Sequence, residues 1–229
     1  MRPHHLLITT LAVLTLAVGS AQAAVIADFD FEGDSDADTA NVANVTVTDI
    51  VLDKNTGSIA GGDKGFTNRG SRARFLRYNA TTTTTTTTNA GDAYFGFTVE
   101  ADAGYTLDLD SFQFDVSASS GGNSASFQVY GKIGAGSFAA ITSNTAITTI
   151  NTSSTATVGP FALGSAYDDV PAGTNVEFRV YLADDVDTSS AHSFDDVIVN
   201  GSVALIPEPA TLALLGLGGA VMLAGRRRS

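Results

Sequence analysis

An antiparallel β-sandwich, jelly-roll-like in kind, is the fold class this sequence predicts for residues 24–206. Three observations predict it. Short β-favouring runs alternate apolar and polar residues with period two, the pattern of a strand with one buried face. Turn chemistry separates the runs, through Ala103-Gly104, Gly121-Gly122-Asn123, Gly134-Ala135-Gly136 and Pro171-Ala172-Gly173. No window of this stretch sustains an amphipathic helical pattern, and many short strands without helices close into a sandwich.

Taken in order, the elements begin with a processing segment. Arg2, His4 and His5 form a weakly positive start, and Leu6 to Val18 is apolar apart from Thr9, Thr10 and Thr15. Ala21-Gln22-Ala23 supplies the small residues of a cleavage site, so residues 1–23 read as a signal peptide cut between Ala23 and Ala24. The general secretion machinery is therefore an expected partner. Val45 to Leu52 reads as a strand whose inward side is ambiguous. Thr81 to Thr88, eight consecutive threonines, has no apolar face to bury, so it reads as an exposed loop or polar edge strand, with surface O-glycosylation as the sharper alternative.

The clearest strands follow. In Tyr94 to Val99, Phe95, Phe97 and Val99 share one face while Tyr94, Gly96 and Thr98 share the other. Ser111 to Ser117 turns Phe112, Phe114 and Val116 inward; Ser126 to Tyr130 does so with Phe127 and Val129. Val176 to Leu182 aligns Val176, Phe178, Val180 and Leu182. The last run, Phe194 to Leu205, places Val197, Val199, Gly201, Val203 and Leu205 on one side.

Composition narrows the function. Residues 24–206 hold 8 Lys and Arg against 23 Asp and Glu, a net −15, and nucleic-acid binding needs the opposite sign. There is no cysteine, which excludes disulfides, thiol catalysis, zinc-thiolate sites and iron–sulfur clusters. His192 is the sole histidine beyond the signal segment. A triad drawn from Ser193, His192 and Asp195 fails on geometry, because neighbours on a strand point to opposite faces. Glu32, Glu100 and Glu177 offer carboxylate pairs for glycoside hydrolysis, yet so acidic a chain brings carboxylates together without a catalytic reason. Tyr78, Tyr94, Tyr105, Tyr130, Tyr167 and Tyr181 are candidates for stacking on sugar, against the plainer reading of strand residues with hydroxyls at the sheet margin. Arg69, Arg72, Arg74 and Arg77 form the basic cluster; Arg72 and Arg74 share a face that suits an acidic polysaccharide, against pairing with the domain's own carboxylates.

The C-terminal segment, residues 207–229, is an address. Pro207 and Pro209 lack backbone donors and hold Glu208 in an extended stretch. Ala210 to Gly225 is free of charge; as a helix of about 1.5 Å per residue it reaches roughly 24 Å, a marginal span of a hydrocarbon core of about 30 Å. Arg226, Arg227 and Arg228 hold its far end in the cytoplasm. This order of Pro207-Glu208-Pro209, short Gly-rich span and Arg cluster resembles the PEP-CTERM sorting signal of exported Gram-negative proteins. The resemblance implies recognition by an exosortase, passage through the inner membrane and delivery to the cell surface or extracellular matrix.

The stretches YFGFTVEADAGYTLDLDSFQFDV, SFQVYGKIGAGSF, VEFRVYLADDVD and SFDDVIVNG are similar to ectodomains that precede this tail in PEP-CTERM proteins, which implies a secreted β-sandwich and no chemistry. Asp28, Asp30 and Glu32 near the start and Asp195 and Asp196 near the end resemble the Phe-Glu start and Asp-Asp-Val end of jelly-roll carbohydrate-binding modules. That resemblance implies a structural calcium ion between first and last strands, against an acidic surface without one. The expectation is a non-enzymatic surface or matrix protein, flanked by its signal peptide and single membrane-spanning sorting helix. A carbohydrate-binding module of the matrix, with extracellular polysaccharide as partner, is the alternative, and behind it a secreted glycosidase.

Overall fold

A computed structural model describes residues 23–30, 39–40, 42–53, 65–69, 72–78, 94–118, 125–143, 145–147, 156–184 and 192–206. In chain order its strands are β1 (Ala24–Phe29), β2 (Thr39–Ala40), β3 (Val45–Val47), β4 (Val51–Asp53) and β5 (Gly65–Arg69). They continue with β6 (Arg72–Tyr78), β7 (Tyr94–Ala101), β8 (Tyr105–Ala118), β9 (Ala125–Ile133) and β10 (Ala139–Ala140). β11 (Thr145–Ile147), β12 (Ala156–Ala162), β13 (Val170–Pro171), β14 (Val176–Asp184) and β15 (His192–Leu205) complete the set. The one helical element among the described residues is a 3₁₀ turn at Ser165–Tyr167. The expected signal peptide up to Gln22, the Thr81 to Thr88 run and residues 207–229 lie outside the described residues.

Apart from the 3₁₀ turn, the described residues are all-β, two antiparallel sheets stacked face to face. The first runs β12-β8-β15-β1-β2, with β13 on β8 and the β5–β6 pair joined to β15. The second runs β10-β9-β14-β7-β3, with β11 on β9 and β4 on β7. Between them lies a core in which phenylalanines of one sheet meet those of the other. Phe97 of β7 lies 4.7 Å from Phe29 of β1, Phe178 of β14 lies 5.4 Å from Phe112 of β8, and Phe127 of β9 meets Phe114 edge-on at 5.2 Å. Every residue assigned inward in β7, β8 and β9 is buried, as are Val176, Phe178 and Val180 of β14.

Three departures from strict alternation carry the shape. Val45 to Leu52 forms two short strands; between them Thr48 stays bonded to Thr98, its backbone N–H donating to the Thr98 carbonyl at 3.0 Å and its hydroxyl accepting from the Thr98 backbone N–H at 2.9 Å. In β15 the register shifts between Asp195 and Ile198, with Asp196 at φ 44°. This bulge turns both Phe194 and Val197 inward although they are three residues apart. Leu205, expected inward, is 67% exposed at the last position of β15. Close backbone approach explains Gly201: a Cβ on it would overlap the Asp108 carbonyl oxygen of the neighbouring strand.

Two substitutions test this packing. In urea melts of residues 24–206, Phe178→Ala should lose about 3–5 kcal/mol, since it opens a cavity between the sheets. Gly201→Ala should lose about 1–3 kcal/mol by overpacking. Wild-type midpoints in both variants would refute the account of the core.

Candidate functional site

Among the described residues, the outer face of the second sheet carries a compact side-chain arrangement. Register brings it together. Tyr181 of β14 stands between Tyr94 of β7 and Gln128 of β9; Arg179 stands between Gly96 and Tyr130; Glu177 stands between Thr98 and Lys132. Alternation dictates that these residues point away from Phe178 and Val180. Tyr130 and Tyr181 are buried at 8% and 4% exposure, yet they belong to this outer cluster and not to the core. The Tyr181 ring lies 5.2 Å from Tyr94 and 5.5 Å from Tyr130.

Arg179 organises the face. Its guanidinium lies 4.1 Å from the ring centres of both Tyr94 and Phe138, and Lys132 sits 4.9 Å over Phe138. The guanidinium lies this low because Gly96 has no side chain; a Cβ there would come within 2.6 Å of the Phe178 carbonyl and 3.3 Å of the Arg179 stem. Arg179 donates through Nε to Glu177 at 2.7 Å and pairs through Nη2 at 2.6 Å, while Lys132 reaches the other carboxylate oxygen at 2.5 Å. Burial alone pushes the Glu177 carboxyl up, but the hydrogen bonds from Lys132 and Arg179 outweigh it and hold the group below its ordinary range. Burial likewise opposes the Arg179 charge, and hydrogen bonds to Tyr181 and Glu177 overcome it, so this cation is more firmly held than a free arginine. Aromatic rings interleaved with fixed cations can stack on a flat ligand and donate to its oxygens.

The sequence reading missed this cluster. Tyr94, Tyr130 and Tyr181 are strand residues as expected, on the adjoining strands β7, β9 and β14. Tyr167 is in the 3₁₀ turn, its hydroxyl filling the notch above Gly131, where a Cβ would overlap it. The outward parity of Tyr94, Gly96 and Thr98 was readable; the pairing of β14 with β7 and β9 that assembles the face was not.

The residues expected to hold calcium are placed on β1 and β15, which do pair, Phe29 opposite Val197 and Asp28 opposite Ile198. Asp28 Oδ1 is buried with no hydrogen-bond partner. Burial, and then the nearby Asp30 charge, raise the Asp28 pKa. Asp195 stands opposite Asp115, and its Oδ1 accepts from the Asp196 backbone N–H at 3.1 Å. Glu32 lies outside the described residues. Among those described, no three His, Cys, Asp or Glu side chains gather as a metal site, so Asp28, Asp30, Asp195 and Asp196 do not by themselves form a calcium cage of six to eight oxygens.

The other candidates are dispersed. Glu177 is engaged by two cations, and Glu100 is on β7 opposite Thr46. His192 and Ser193 open β15, opposite Tyr78 and Arg77 of β6. Arg69 ends β5, and Arg72, Arg74 and Arg77 are on β6, so the basic cluster belongs to the first sheet. Ala23, at the expected cleavage junction, is exposed.

At the far end, Leu205 closes β15 opposite Tyr105, and the Ile206 N–H donates to the Gly104 carbonyl at 2.8 Å. Residues 205–228 match the family of the PEP-CTERM protein-sorting motif. The chain carries a PEP-CTERM sorting motif. That PEP-CTERM match begins on the last residue of β15, so strand and sorting motif adjoin without a linker. No helix among the described residues is long and apolar enough to cross a membrane; the expected span, residues 210–225, is not among them.

No curated protein matches the chain in sequence. Among solved structures, a family 11 carbohydrate-binding module from Clostridium thermocellum, in complex with a β-1,3-1,4-mixed-linked tetrasaccharide, is 16% identical with a TM-score of 0.31, covering 78% of this chain and 98% of that one. TmCBM61 in complex with β-1,4-galactotriose is 10% identical with a TM-score of 0.28, covering 69% and 88%. A xylan-binding domain of family 22 is 17% identical with a TM-score of 0.27, covering 76% and 93%. At such values these similarities assign no ligand to this chain.

The ion cluster sets a pH dependence. A carboxyl whose folded pKa lies below its ordinary 4.5 stabilises the fold above that value, and the contribution is lost as pH falls through the folded value. Glu177→Gln should therefore cost about 1 kcal/mol at neutral pH and nothing once the wild-type carboxyl is protonated. Urea midpoints of the two proteins, compared from pH 7 downward, should converge; a constant gap would refute the assignment.

Proposed function

We propose that this chain is an exported, non-enzymatic surface or extracellular-matrix protein, sorted by an exosortase through its PEP-CTERM tail. The match over residues 205–228 carries the reading. In this account a signal peptide ending at Ala23 directs export, and Ala210 to Gly225 lodges in the inner membrane with Arg226, Arg227 and Arg228 in the cytoplasm. The exosortase then cuts near Pro207-Glu208-Pro209 and frees a jelly-roll domain, in which the first strand pairs with the last. Replacing Pro207, Glu208 and Pro209 by alanine should leave the span attached and the protein in the inner membrane. Intact-mass measurement in an exosortase-bearing host checks it: wild-type protein still ending at Ser229 would reduce the tail to a permanent anchor.

Carbohydrate binding is the second reading, favoured by the face that Arg179 builds with Tyr94, Phe138, Tyr130 and Tyr181. Here Tyr94 and Phe138, the rings of this set that are not buried, supply contact surface, and Arg179 and Lys132 supply donors to sugar oxygens. A structural calcium ion beside Asp28, completed by Glu32, fits the same picture, since it gives the orphaned Oδ1 a partner. On a glycan array, residues 24–206 should bind polysaccharide, and Arg179→Ala should lose about tenfold or more in affinity, about 1.4 kcal/mol. Chelator should lower the melting midpoint by several degrees. No glycan bound, or binding indifferent to Arg179→Ala, removes this reading; no chelator effect removes the ion.

A further inference from the structure

The sorting tail departs from an end of the sandwich closed by small, nearly uncharged turns. The backbone there is fixed up to the residue before Pro207, because Leu205 is paired in β15 and Ile206 is bonded to Gly104. The uncharged stretch Ala210 to Gly225 begins four residues later, and four extended residues reach about 14 Å at most. β1 starts at this end too, with Ala24 opposite Gly201.

Three turns close the same end. Asp102-Ala103-Gly104 joins β7 to β8, Gly134-Ala135-Gly136 follows β9, and Ala172-Gly173-Thr174 precedes β14. They are bonded in place: Tyr105 N–H donates to the Asp102 carbonyl at 3.1 Å, Gly134 N–H to the Asn175 carbonyl at 2.8 Å and Thr174 N–H to the Pro171 carbonyl at 3.1 Å. In a domain of net −15, these turns carry a single carboxylate, Asp102. Leu205 and Ile206, 67% and 41% exposed, are two of the three large hydrophobic residues left exposed among those described.

We propose that this end is a membrane-docking surface. The proposal rests on the reading that residues 210–225 lodge in the bilayer. Before the tail is cut, the domain stands on the lipid headgroups through its small, nearly uncharged turns, with Leu205 and Ile206 at the interface. Charge and tether select this orientation together. An anionic leaflet repels the acidic body of the domain over about a Debye length, near 8–10 Å, so the end poorest in carboxylates approaches most closely. The tether holds that same end within reach.

The absence of cysteine makes the test direct. Single substitutions Ala103→Cys and Ala135→Cys report on the docking end, and Thr157→Cys on β12, opposite Asp115 and far along β8 from Tyr105, reports on the body. Each full chain is labelled with an environment-sensitive fluorophore and reconstituted into phosphatidylglycerol–phosphatidylcholine vesicles doped with a headgroup spin-labelled lipid. Quenching should be several-fold stronger at Ala103→Cys and Ala135→Cys than at Thr157→Cys. Adding carboxylates with Ala135→Glu and Ala172→Glu should weaken it at Ala103→Cys by at least half. Uniform quenching, or quenching indifferent to the added carboxylates, overturns the docking surface while leaving the membrane reading intact. Release of the chain by alkaline carbonate overturns the membrane reading itself and the proposal with it.

Discussion

Contact between phenylalanines of opposite sheets is the interaction on which the rest of this structure depends. The chain has thirteen Phe, no Trp and no Cys, so neither covalent cross-links nor a large indole fixes the two layers. Phe97 against Phe29, Phe178 against Phe112, Phe95 against Phe194 and Phe127 against Phe114 do so instead. Side chains on a strand alternate, so each inward phenylalanine also decides what faces solvent beside it. Phe178 inward means Glu177 and Arg179 outward, and a one-residue slip of β14 would bury both charges. The ion cluster is thereby a consequence of the core.

Much of this was legible in the residues. The inward sets of β7, β8, β9 and β14 follow from period two, and the turns at Gly104, Gly134 and Gly173 all fall at positive φ, where glycine is at home. What alternation alone does not encode is an extra residue. The bulge at Asp196 brings Phe194 and Val197 to one face, and a second shift in β8, where Asn200 pairs with Ser111 but Gly201 with Leu109, leaves Leu109 and Phe112 both buried. Leu205 is apolar and of inward parity, yet as the last residue of β15 it stays exposed. The Arg179 cluster stayed hidden for a related reason. Its members lie on β7, β9 and β14 and at Phe138, and which of three distant segments adjoin is a matter of sheet order, set by tertiary packing.

The sorting tail and the domain are physically distinct statements in one chain. Pro207-Glu208-Pro209, an uncharged stretch and three arginines are legible because they are contiguous and together match a sorting motif. A binding face is assembled from residues far apart in sequence, and each member has an ordinary role in a strand as well. That asymmetry explains why the address can be read from the residues directly while the face that Arg179 and its rings create cannot.

β1 has a consequence for the order of events during export. It occupies the interior of the first sheet, yet before β15 exists its one partner there is the two-residue β2. Ala24 finds Gly201 only across 177 residues of sequence, and closing so long a loop is slow because the entropy is lost before the contacts form. In a chain exported N-terminus first, the first strand would therefore hold only β2 until the last one arrives. The first sheet could then close only once β15 was free, and the sorting motif follows β15 directly.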